Sequence, residues 1–207
     1  MLELILVRHG ETAWNVNEVF RGRSNIELNE TGTRQAAALA EFLSHRELEA
    51  IYCSPLVRAL KTADAIATRQ NIQVVPVEAL NDMSFGEWEG KPVAEVREKY
   101  PKLFNDWISN PHLVRIPGGD TLEDVASRAV DFVDIIVKKH NSPIVLVSHR
   151  VVHMVLILKL LGLDVSRFWK IKMDTAAMTV FTYTKYGFCL SEHNNTCYLN
   201  GIPSSGK

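Results

Sequence analysis

Strand-length apolar runs at residues 2–7, 50–53, 72–77 and 143–148 alternate with segments of helical period, and few architectures satisfy that alternation. Parallel strands need long crossover connections, usually helical, and those helices cover both faces of the sheet. The expected fold class is therefore α/β, a three-layer αβα sandwich around a mostly parallel sheet. Two more runs, 178–184 and 187–192, follow one another across Lys185-Tyr186-Gly187, which predicts a hairpin and an antiparallel edge. Helices are expected from the Asn29 cap to about Leu43, from about Leu56 to Arg69, around Pro101 within 92–109, from the Thr121 cap to about His140, and from about Val151 to Leu161 ahead of Gly162. The 207 residues fit one domain over 1–200, with residues 201–207 as a flexible tail.

The formal net charge of −1 gives no general attraction to nucleic acid or acidic membranes, so any anion site has to be local. The longest apolar stretch, Met154 to Leu163, is broken by Lys159 and too short to span a bilayer, and no secretory signal opens the chain. Cys53, Cys189 and Cys197 are odd in number and lack metal-site spacing, as expected of reduced thiols in the cytoplasm.

The first strand ends abruptly in Arg8-His9-Gly10, placing a guanidinium and an imidazole at the carboxyl end, where open α/β sheets keep their ligand crevices. An imidazole can act as a nucleophile, and a guanidinium can hold a phosphate with two parallel hydrogen bonds. The run Val145 to Ser148 repeats the design and ends in His149. Arg58 opens a helix after the strand 50–53; taken alone, it reads as a solvated helix residue. Asn15, Arg21 and Arg23 follow the first strand as phosphate donors, with Arg23 better explained as surface charge. The loop from Leu80 to Gly90 carries Asp82, Glu87 and Glu89 among bulky aromatics, and a carboxyl shielded by apolar neighbours there would make a general acid. His149 and His153 have the spacing of a zinc pair, but Arg150 replaces the glutamate of that motif and no third ligand is evident. No metal or other cofactor is expected.

In order along the chain, Leu6-Val7-Arg8-His9-Gly10-Glu11-Thr12 with Asn15, Leu28-Asn29-Glu30-Thr31-Gly32, Ser54-Pro55-Leu56-Val57-Arg58-Ala59, Phe85-Gly86-Glu87-Trp88-Glu89-Gly90, Pro117-Gly118-Gly119-Asp120-Thr121 and Val147-Ser148-His149 resemble the histidine phosphatase superfamily, also called phosphoglycerate-mutase-like. The segment Phe85 to Gly90 and the ending Asn194 to Leu199 are similar to its α-ribazole phosphatase and broad-specificity branch. The resemblance implies a phosphohistidine mechanism without metal. His9 would be the nucleophile, Arg8, Arg58 and His149 would hold the phosphoryl oxygens, and Asp82 would be the proton donor. Asn15, Arg21 and Arg150 would meet the substrate.

Four positions depart from the family pattern. The donor there is usually glutamate, so the shorter Asp82 acts alone or with Glu87. Arg150 stands where a small residue is usual, Met154 where many relatives carry a basic one, and Ser84 where the mutases have histidine. The implied activity is hydrolysis of a small phosphomonoester such as α-ribazole 5′-phosphate or phosphoserine. A cofactor-dependent phosphoglycerate mutase and a non-catalytic phospho-ligand module are the rivals. A homodimer is compatible with Trp107 or Trp169 at an interface, although such rings more often pack in a core.

Overall fold

A computed structural model describes residues 2–204. The strands are β1 (Glu3–Arg8), β2 (Ala50–Cys53), β3 (Val74–Pro76), β4 (Ile144–Ser148), β5 (Met178–Thr184) and β6 (Gly187–Asn195). The helices are α1 (Ala13–Val16), α2 (Glu30–Leu43), α3 (Val57–Gln70), α4 (Val93–Lys99), α5 (Pro101–Ser109), α6 (Leu122–Ile136) and α7 (Arg150–Leu160). They form one sheet in the order β3-β2-β4-β1-β5-β6, parallel from β3 to β1 and antiparallel across β5 and β6. The expected αβα sandwich with an antiparallel edge is the observed fold.

The continuous apolar runs of β1 and β4 follow from burial on both faces. Leu4, Leu6, Ile144 and Leu146 pack into a core with α6 and α7, while Ile5, Val7, Val145 and Val147 pack against α2 and α3. Asn29 and Thr121 cap α2 and α6 with side-chain oxygens, contributions of about 1 kcal/mol each. Helix α6 stops at Ile136 instead of continuing to His140. His140 is held instead by Glu49 and by Tyr52, with its Nδ1 2.8 Å from Glu49 Oε1. Between α4 and α5, Tyr100 serves both as the C-cap of one and the N-cap of the other, because Pro101 cannot continue a helix but opens one well.

Two close backbone approaches fix the loops at the carboxyl edge of the sheet. A Cβ at Gly32 would lie 2.0 Å from the Glu11 carbonyl oxygen, so the start of α2 presses directly on the loop after β1. A Cβ at Gly86 would lie 2.1 Å from the Pro117 oxygen, and its φ of 48° is one that glycine adopts freely. Near the end of the chain, Gln35 donates to the Pro203 carbonyl and Ser204 Oγ to that of Thr175 at 2.6 Å, so the segment expected to fray from Gly201 is tied down at these points. Residues 205–207 lie outside the described ones.

Candidate active site

Because β1 and β4 are parallel neighbours with Arg8 opposite Ser148, their carboxyl ends deliver His9 and His149 side by side, with ring centroids 5.2 Å apart. His9 Nδ1 lies 2.6 Å from the Gly10 carbonyl oxygen. An oxygen there accepts only from a protonated Nδ1, which leaves the lone pair of a neutral ring on Nε2. Burial, then the charges of Arg58, Arg8 and Arg21, hold the His9 pKa well below the ordinary histidine value. Burial thus favours the neutral ring, with its lone pair on Nε2.

Strand β2 lies on the other side of β4, and α3 leaves its end carrying Arg58 into the same place. Arg58 is fully buried, which corrects its reading as a solvated helix residue. Its Nε donates to His149 Nδ1 at 3.2 Å, Nη1 to the Ser24 carbonyl at 2.7 Å, and Nη2 to Gly22 O at 2.8 Å and Asp82 Oδ2 at 3.1 Å. His149 therefore accepts at Nδ1 and carries its proton on Nε2, for which the described residues offer no acceptor. Arg8 is also fully buried and donates to the Met173 carbonyl at 2.6 Å.

Asp82 is buried in the loop after a 3₁₀ turn at Glu78–Leu80. Burial raises its pKa, against the pull of Arg58 and Arg21, which suits a carboxyl that must hold a proton. The loop is fixed by contacts with no local sequence signal. Ser148 Oγ donates to the Leu80 carbonyl at 2.7 Å, and Arg128 of α6 reaches the Ala79 and Asp82 carbonyls. Glu87 is exposed and accepts from Tyr100 Oη, while Glu89 is engaged by Ser84, Phe85 and Arg23 of its own corner. Of the three loop carboxylates, Asp82 alone reaches the histidines.

A cavity of about 290 Å³ opens on this cluster, close to the lower end of the roughly 300–1,000 Å³ usual for small-molecule sites. His9, Arg21, Asp82 and Arg150 line it, whereas Arg8, Arg58, His149 and Asn15 are completely buried and do not. The Asn15 carbonyl oxygen accepts from Thr12 in the capping box of α1. Arg21 donates to the Trp14 carbonyl, and burial lowers its pKa to about 10. Arg23 pairs with Asp120 at the surface. Sequence reasoning missed Arg97 and Phe168 in the lining; Trp107 is buried in the core, as rings usually are, and it and the more exposed Trp169 also line the cavity. His153, inside α7, is tied to β1 instead of to a metal, its Nε2 2.8 Å from the Val7 carbonyl oxygen.

A family model described as the histidine phosphatase superfamily (branch 1) matches residues 4–196. Phosphoserine phosphatase 1 of Hydrogenobacter thermophilus is 38% identical over 200 residues, 96% of this chain and 95% of that one. The solved structure of Bacillus stearothermophilus YhfR aligns with a TM-score of 0.91 at 30% identity, covering 96% of this chain and all of the other. A phosphoserine phosphatase from Entamoeba histolytica, solved with 3-phosphoglyceric acid, aligns at 0.83 with 30% identity and the same coverage.

Proposed function

Because this chain belongs to the histidine phosphatase superfamily and is a phosphatase, we propose that it hydrolyses small phosphomonoesters through a phosphohistidine on His9, with phosphoserine as the first substrate to try. The observation that carries the mechanism is the His9 tautomer. With Nδ1–H held by Gly10, the Nε2 lone pair is free to attack phosphorus while burial and three arginines keep the ring neutral.

In the first step the Nε2–P bond forms as the bond from phosphorus to the ester oxygen breaks. Asp82 gives its proton to the departing alkoxide. Arg8, Arg58 and the Nε2–H of His149 stabilise the charge spread over the transferring oxygens, with Asn15 and Arg21 as further donors. In the second step water attacks phosphorus, Asp82 takes its proton back, and the N–P bond breaks. No metal or cofactor enters either step. The reading also keeps a small-molecule partner in place of nucleic acid or a membrane, a cytoplasmic setting, a catalytic domain over 1–200 and a chain free to form a homodimer.

The test is phosphate release in EDTA from phosphoserine, α-ribazole 5′-phosphate, both phosphoglycerates and an aryl phosphate. Turnover by the wild type and loss of at least about 10⁴-fold in His9→Ala are expected. Interconversion of the phosphoglycerates faster than their hydrolysis, given bisphosphoglycerate, would make it a mutase. A stable complex with a phosphorylated ligand and no turnover would make it a binding module.

A further inference from the structure

Beyond His9 and Asp82 the cavity is walled by rings. Phe20 lies 5.0 Å from Phe85, Phe85 lies 5.8 Å from Trp107, and Trp107 lies 5.6 Å from both Phe168 and Trp169. Trp169 is anchored by an Nε1–H bond to the Trp107 carbonyl at 2.8 Å. On its ring, 5.4 Å from the centroid, rests the guanidinium of Arg150.

Arg150 differs from the other arginines of the site. Arg8 donates to Met173, and Arg58 to four groups, but the Arg150 side chain has no hydrogen bond or ion pair among the described residues, although it is half-buried in the cavity wall. A cation withdrawn from water without a partner is costly, which points to an anion supplied by the ligand. Asp174 and Asp82 are the carboxylate charges that act on Arg150, but neither forms an ion pair with it: Asp174 Oδ2 is engaged by Lys172 at 2.7 Å and Asn194 at 2.9 Å, and Asp82 by Arg58. The charges bearing most on His9 are Arg58, Arg8 and Arg21, whereas Arg150 acts on Arg8 and Arg21 and sits against Trp169.

We propose that Arg150, laid on Trp169, receives a carboxylate carried by the alcohol half of the substrate, so that the enzyme selects phosphomonoesters whose leaving group carries a carboxylate. A single guanidinium presents a planar fork that matches a carboxylate. The ring walls enclose the rest of the leaving group. The inference rests on the phosphomonoesterase reading and adds the identity of the leaving group.

Two substrate pairs that differ in one carboxylate test it: phosphoserine against phosphoethanolamine, and 4-carboxyphenyl phosphate against phenyl phosphate. In the wild type, kcat/KM for the carboxylated member should exceed that for its partner by at least about tenfold, mostly through KM, as one charge-assisted hydrogen-bonded contact predicts. Arg150→Met should erase the preference and Arg150→Lys should restore part of it. Trp169→Leu, a change at a half-exposed ring, should raise KM for the carboxylated members only. A preference unchanged in Arg150→Met and Trp169→Leu overturns the proposal. So does an equal loss on both members of each pair, which would put Arg150 on the phosphoryl group. Hydrolysis of every substrate without preference sinks this inference alone, whereas no phosphate release from any of them sinks the phosphomonoesterase reading with it.

Discussion

The reacting centre and the chamber beside it are built on opposite terms. Around His9 and His149 the polar side chains are fully buried and tied to one another or to the backbone: Arg58 alone joins His149, Asp82, Gly22 and Ser24. In the chamber the walls are aromatic faces, and Arg97 and Arg150 lie over Phe104 and Trp169 without carboxylate partners among the described residues. A centre crossed by reciprocal hydrogen bonds has one arrangement, which transition-state stabilisation requires. A chamber held by ring packing tolerates apolar swaps of similar volume at small cost, which lets specificity change while the chemistry stays.

The comparison breaks most visibly at Arg58. Arg58→Ala should lower kcat/KM at least about 10³-fold on every substrate, because it removes a charge donor and releases both His149 and Asp82. A loss under tenfold would mean the centre is not the unit described. Asp82→Asn sharpens it. The expected loss in kcat is about 10²–10⁴-fold on alkyl phosphates and far less on 4-nitrophenyl phosphate, whose leaving group needs no proton. Equal losses would remove Asp82 from the acid role.

The pH profile separates the two titrating groups. The His9 pKa lies below the ordinary 6.5, so the neutral ring persists as pH falls through that value, and the acid limb of kcat/KM should sit lower. The Asp82 pKa is raised above 3.8, so its deprotonation sets the alkaline limb, which Asp82→Asn should abolish. An acid limb at 6.5 would contradict the burial of His9. In the chamber, Phe104→Ala should change KM by less than about tenfold and leave kcat nearly intact, as loss of uniform binding does.

A smaller effect appears in stability. His153 has its pKa lowered to about 4 by burial, against 6.5 when unfolded, so the folded chain binds fewer protons than the unfolded one between those values. Its stabilisation is therefore complete above 6.5 and is lost as pH falls towards 4, a loss of about 2 kcal/mol by pH 5. His153→Gln should flatten the fall in Tm over that range, and an unchanged slope would assign the fall to His9 and His149.

Much of this was legible in the chain. Two apolar runs ending in histidine, a helix opening with Arg58 and a carboxyl among aromatics are local patterns, and the parallel sheet brings their ends together. The rest depended on long-range approach. Arg128 fixes the Asp82 loop from 46 positions away, and Phe168 and Trp169 reach the cavity from a 3₁₀ segment, Val165–Lys170, whose short run carries no helical period. Arg58 reads as solvated in isolation because nothing nearby in sequence names its partners His149 and Asp82.

The Arg58–Asp82 bond also sets what binding does to protons. An oxyanion that takes over the Arg58 guanidinium strips Asp82 of its counter-ion, and a carboxyl buried without one picks up a proton. Loading the site should then draw a hydrogen ion from the medium, unless Arg21 holds Asp82 ionised. Titration calorimetry with vanadate would record it as a binding enthalpy that varies with the ionisation heat of the buffer.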